Sequence, residues 1–159
     1  MKVNIIYVGN IKDKYYADAV AEYEKRLNAY CQVTNIELKD EQIKDGASQS
    51  EIAAAIRKEG DKILAALPQR AYNIALCVEG EMLSSEQLAE RIDRITTGGE
   101  STVNFIVGGA FGMDPRVKQL ADLRLSFSRM TFTHRMMRVM LIEQIYRAMN
   151  INAGGKYHK

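Results

Sequence analysis

Five short apolar runs, each followed by a stretch of different periodicity, constrain this chain more than any other feature. The runs fall at residues 3–8, 32–38, 73–78, 103–107 and 123–128. Several are nearly continuous in Val, Ile, Leu and Phe, as strands covered on both faces are. Between them apolar residues recur at helical spacing. Tyr16, Val20, Tyr23 and Leu27 do so within 15–30, and Ile52, Ile56, Ile63, Leu64 and Leu67 follow later. Leu88, Ile92 and Ile95 make a third face. Ser48 with Glu51, and Ser84 with Gln87, form capping boxes at two helix starts. Pro68 lies just beyond one helix end and Gly98-Gly99 closes another. Asp114-Pro115 offers an N-cap and a first-turn proline for a short helix. A last helix is expected from Thr133 to about Asn150. Residues 39–49 are polar, carry Gly46, and read as a mobile loop. Strands that alternate with helices predict an α/β domain with a parallel sheet covered on both sides.

Length and composition agree with one such domain over residues 1–159. A chain this long buries roughly 70% of its unfolded surface and needs no disulfide or metal to hold a core. Cys31 and Cys77 lie far apart and read as reduced, buried thiols. With only His134 and His158 and no cysteine cluster, no metal site is expected. No run approaches the roughly 18 apolar residues of a membrane helix. The start, MKVNIIYVGNIK, lacks a cleavage pattern, so a cytoplasmic protein without a membrane partner is expected.

The formal net charge is +2, which on its own argues against a dedicated nucleic-acid binder. Its distribution argues otherwise. From Arg124 onward there are seven basic residues against one acid, Glu143, a balance of +6. The remaining 15 basic and 19 acidic residues give −4. Arg135 and Arg138 fall on nearly one helix face, and read either as solvated charge or as a phosphate-facing patch. Glu143 and Arg147 are spaced to pair.

In an open parallel sheet ligands bind at the carboxyl ends of the strands. Three loops qualify: residues 79–81, the glycine loop 108–112, and residues 128–132. The glycine loop matches neither GxGxxG nor a P-loop. It serves equally as a structural turn or as a cradle for an anionic or adenine-bearing ligand. The last helix carries Met136, Met137, Val139, Met140, Leu141, Ile142, Ile145, Tyr146 and Met149, apolar around most of its circumference. It reads either as a central core helix or as a helix buried by its own sheet on one side and by a second subunit on the other. The second reading is favoured, since the sequence offers no further layer to cover it, and a two-fold axis is the default geometry. His134, at a helix start, reads as a capping or packing residue.

The segments VGNIK, AEYEKRL, LCVEGEMLSSEQLA and FIVGGAFG, and above all LSFSRMTFTHRMMRVMLIEQIYRAMNINAGGKYHK, resemble the SPOUT-class ribosomal RNA large subunit methyltransferase H family. The resemblance covers essentially the whole chain. It implies a single-domain parallel-sheet α/β knot, with a C-terminal trefoil, acting as a homodimer. It implies methyl transfer from S-adenosyl-L-methionine to N3 of a pseudouridine in 23S rRNA within the assembled ribosome. Cofactor contacts then fall on Leu76, Gly108, Phe127, Ser128, Arg129, Met130, Thr131 and Phe132. The tail Tyr157, His158 and Lys159 becomes the catalytic element, reaching into the partner subunit's site. Arg129, Arg135, Arg138 and Lys156 become the RNA contacts. Thr133 stands where many relatives have proline, and can cap the helix instead. Glu81 stands where a basic residue is common.

The chemistry implied is an in-line displacement for which the protein mainly supplies alignment. The imide N3–H is a weak acid and needs a base or an anion-stabilising cation. His158 is the first candidate for the base, and Arg129, Arg135 and Lys159 for the cation. Two other classes stay open at this point: a methyltransferase of another RNA such as tRNA, and a non-enzymatic nucleotide-binding regulator.

Overall fold

A computed structural model describes residues 1–158. Five strands alternate with five helices in the order the sequence predicts. They are β1 (Lys2–Val8), α1 (Lys14–Leu27), β2 (Gln32–Leu38), α2 (Gln49–Ala66), β3 (Tyr72–Met82), α3 (Ser85–Thr97), β4 (Thr102–Val107), α4 (Pro115–Leu120), β5 (Leu123–Ser126) and α5 (His134–Asn152). The strands form one sheet, β2-β1-β4-β3-β5, and every pairing is parallel.

The alternation of side chains along each strand divides the core in two. Val3, Ile5, Tyr7, Val103, Phe105 and Val107 face one side, where they pack with buried residues of α1, α3 and α5. Val8, Ala75 and Ile106 face the other and meet Ile63 of α2 and Val117 of α4. On that second face the apolar pattern is interrupted by a ladder of amides. Asn4 Nδ2 donates to Asn104 Oδ1, and Asn104 Nδ2 donates to Asn73 Oδ1, both at 2.8 Å. The three asparagines are register partners across β1, β4 and β3. Slipping any of these strands would leave the wholly buried Asn104 unpaired, so the ladder fixes the pairing.

Both capping boxes form: Ser48 accepts from Glu51 N–H, and Ser84 from Gln87 N–H. Asp114 caps α4 and Thr133 caps α5. Three boundaries differ from the sequence reading. Helix α1 stops at Leu27, where Tyr30 N–H turns back to the Leu27 carbonyl. The start of the 39–49 loop is tied to α2: Glu59 Oε1 accepts from Glu41 N–H at 2.9 Å, and Lys62 donates to the Lys39 carbonyl at 2.7 Å. Residues 79–81 are not a free loop but belong to β3. Leu125 of β5 is register partner to both Leu76 and Glu81, so residues 77–80 form an excursion beside it. Gly80 permits that crossing, since a Cβ there would lie 2.7 Å from the Arg124 and Leu125 backbone.

Helix α5 lies against both α1 and α3, so its own subunit covers more of it than the favoured sequence reading expected. Met136 stays exposed, and Val139 and Met140 are half-buried. No helix among the described residues is long and apolar enough to cross a membrane.

Candidate functional site

The carboxyl ends of β3, β4 and β5 open into a cavity of about 770 Å³. Its floor holds Leu76, Val107 and Leu125. The glycine loop makes one wall through Gly108, Gly109 and Gly112. The loop is closed by a hydrogen bond from Gly112 N–H to the Gly109 carbonyl at 3.2 Å. A Cβ at Gly109 would meet Glu59 Oε2 at 2.8 Å and force that carboxylate to move. Burial raises the Glu59 carboxyl from its ordinary value, and this side chain supports the wall from behind.

The opposite wall is the segment after β5. Phe127, Ser128, Met130, Thr131 and Phe132 line the cavity. The segment is braced by its own side chains. Ser126 Oγ donates to the Ser128 carbonyl at 2.9 Å, and Ser128 Oγ accepts from Met130 N–H at 3.0 Å. Met130 is 73% exposed and stands at the lip.

Seven of the eight residues named from sequence as cofactor contacts therefore share one cavity. Arg129 is exposed and takes no part in its wall. The four basic residues named for RNA do not form one patch. Arg135 lines the cavity and pairs with Asp13 at 2.7 Å. Arg138 is buried, its guanidinium 3.2 Å from the centre of the Tyr7 ring, so the shared exposed face read from helical spacing does not exist. Burial lowers the Arg138 guanidinium from its ordinary value, and the ring face and the Glu37 charge oppose that loss. Lys156 is exposed on the tail.

The tail folds onto its own subunit, away from the cavity wall. Tyr157 donates to Glu143 Oε1 at 2.9 Å and meets Tyr23 Oη at 3.2 Å. Burial and these partners push the Tyr157 hydroxyl well above the usual phenol range. The Arg147 guanidinium sits over the Tyr157 ring and pairs with Glu143, as the sequence spacing predicts. Lys159 lies outside the described residues.

Several cavity residues were not singled out from sequence. Asp13, at the end of the β1–α1 connection, and Tyr15 and Tyr16, in the first turn of α1, are three of them. The rule that selected three loops also applies to this connection, because β1 is parallel to its neighbours and ends on the same edge of the sheet. Cys77 is half-buried rather than buried and touches the cavity. His134 lines it as well, and burial followed by the neighbouring Arg135 charge lowers its imidazole below the ordinary value. No cluster suited to a metal ion occurs among the described residues.

A family model described as "Predicted SPOUT methyltransferase" matches residues 1–158. A protein of Streptococcus thermophilus named ribosomal RNA large subunit methyltransferase H is 47% identical over 159 residues, the full length of both chains. One of the same name from Bifidobacterium adolescentis is also 47% identical over 159 residues and all of both chains.

Proposed function

The chain belongs to the SPOUT methyltransferase family, and from that premise we propose that it methylates N3 of a pseudouridine in large-subunit ribosomal RNA, with S-adenosyl-L-methionine as donor. One observation carries the reading. The cavity unites Leu76, Gly108 and the segment after β5 on the edge of a parallel sheet where ligands bind. A volume of about 770 Å³ falls in the range of cofactor and small-molecule sites. Its mainly apolar walls and tight glycine turn suit an adenine-bearing molecule.

When bound, S-adenosyl-L-methionine supplies a methyl group already activated on a sulfonium. Leu76, Val107, Phe127 and Phe132 would hold its apolar parts, and the backbone of Gly108 and the braced segment after β5 its polar edges. The residues around the reacting nitrogen have a second task, because the imide proton must leave. His158 is the proposed acceptor, with Tyr157 and Lys159 positioning it. Because Tyr157 and His158 do not line the cavity of their own subunit, the site we propose is completed by the tail of a second copy. The same reading carries a homodimer, a knotted C-terminal half, one domain over residues 1–159 and a cytoplasmic location beside the ribosome. Arg129, Arg135, Arg138 and Lys156 stay in the proposal with unequal tasks. Exposed Arg129 and Lys156 would touch phosphate directly, Arg135 would act from the cavity wall, and buried Arg138 would act by holding α5 to β1.

Transfer of a tritiated methyl group to ribosomes that lack the modification tests the proposal. The expected result is labelled 23S rRNA from intact ribosomes and little label on free rRNA. Label on tRNA alone would favour a different RNA substrate. No transfer to any RNA would leave a nucleotide-binding regulator.

A further inference from the structure

Asp13, Tyr15 and Tyr16 line the cavity together with Arg135 at the start of α5. Asp13 is the N-cap of α1, a position where an aspartate ordinarily accepts a helix N–H with its side chain. It makes no such bond. Its backbone carbonyl receives the N–H groups of Tyr16 and Ala17, both at 3.1 Å. The carboxylate goes instead to Arg135, with Oδ2 accepting from the guanidinium at 2.7 Å. Among the described residues Oδ1 has no hydrogen-bond partner, and Asp13 is the only carboxylate that lines the cavity.

Among the other polar side chains of the wall, Thr131, His134, Tyr15 and Tyr16 have no side-chain hydrogen bond among the described residues, and several more are already engaged. Ser126 and Ser128 brace their own segment, Thr133 caps α5, and Lys118 pairs with Glu79. Beside Asp13, Tyr15 is 67% exposed, with its ring centre 4.5 Å from that of Tyr16. An exposed aromatic face and a carboxylate with a vacant lone pair thus stand together at one mouth of the cavity.

The chemistry of the target defines what such a pair can read. Pseudouridine is joined to ribose through C5, and so presents an N1–H where uridine presents C5–H. The N3–H to be methylated occupies the same place in both. A site that tells them apart must therefore place an acceptor at N1–H. An anionic acceptor serves best, since it gains a charge-assisted bond with one base and is left unpaired by the other.

We propose that Asp13, held in place by Arg135, accepts the N1–H of the target pseudouridine, and that the base stacks on Tyr15 as it enters. Asp13 is then the residue that sets specificity for pseudouridine over uridine. The inference rests on the methyltransferase reading above.

The test compares ribosomes carrying pseudouridine at the target with ribosomes from cells lacking the responsible pseudouridine synthase, which carry uridine there. The wild type, Asp13→Ala and Asp13→Asn are assayed for kcat/KM on each, and their affinity for S-adenosyl-L-methionine is measured by calorimetry. The wild type is expected to favour pseudouridine by about tenfold or more, the worth of a bond to a charged acceptor. In both variants that ratio should fall close to one while donor affinity holds. Asn is as informative as Ala, because its oxygen takes the Arg135 donor and turns an N–H₂ toward N1–H. A wild-type ratio near one, or an unchanged ratio in both variants, overturns the proposal. Loss of donor affinity in both variants overturns it too, by making Asp13 part of the cofactor site. A wild type that labels neither ribosome overturns the methyltransferase reading itself, and this inference with it.

Discussion

His158 Nε2 lies 2.8 Å from Glu86 Oε1, joining the tail to the first turn of α3. The Ser84 hydroxyl, its own backbone N–H and His158 hold the Glu86 carboxyl down to about 2, so it is ionised across the working range. On its other side His158 Nδ1 is 3.3 Å from the Arg147 guanidinium. The imidazole is thus held between an anion and a cation. Glu86→Gln is expected to lower kcat a few-fold, the scale of one exposed pair, with donor affinity unchanged. Steady-state kinetics beside a binding isotherm would show it, and an equal loss in both quantities would assign Glu86 a purely structural role.

Gly80→Ala should be far more damaging than its size suggests. The new methyl would be forced against the β5 backbone at 2.7 Å, and β5 leads directly into the cavity wall. Overpacking of this kind costs roughly 1–3 kcal/mol. The urea midpoint should fall accordingly, and donor affinity should fall with it.

Glu59 makes a pH prediction. Its carboxyl is raised in the folded protein, first by burial and then by the neighbouring Asp40 charge, against the Glu41 N–H it accepts. The folded state therefore keeps a proton that the unfolded chain releases near its ordinary value of 4.5. The corresponding stability is present below that pH and is lost as pH rises toward the folded value. Glu59→Gln keeps an acceptor without titrating. Urea unfolding of this variant should depend less on pH above about 4.5, where the wild type begins to lose that stability. Glu59→Ala instead leaves the Glu41 N–H unpaired and should cost about 2 kcal/mol.

Thr133 Oγ1 accepts from Met136 N–H at 3.3 Å at the start of α5. Thr133→Ala removes the cap and should cost about 1 kcal/mol. Thr133→Ser should restore most of it, and thermal unfolding of the two variants separates a cap from a side chain that merely fills space.

Local features were legible in the sequence for a physical reason. A capping box, a first-turn proline or an apolar run acts within a few residues, so Ser48, Ser84, Asp114 and the five strands could be placed directly. Features that join distant parts of the chain could not. Asn4 reads as a break in an apolar run until Asn104 and Asn73 are found beside it. Arg138 reads as exposed until Tyr7 of β1 is found beneath it. The 77–80 excursion depends on where β5 passes, which no pattern inside β3 reports. The site was half visible: glycines and the segment after β5 stand out, whereas Asp13 resembles any helix cap.

The amide ladder also sets a timetable. Asn4 and its partner Asn104 are separated by 100 positions. During synthesis β1 can pair early only with β2, and it waits for β4 before the centre of the sheet exists. Such distant pairing slows folding and prolongs the exposure of apolar edges. The last wall of the cavity, with His134, Arg135 and Met137, arrives later still. A nascent chain therefore has no ligand site until almost all of it has been made, and a truncated product cannot sequester a cofactor it is unable to use.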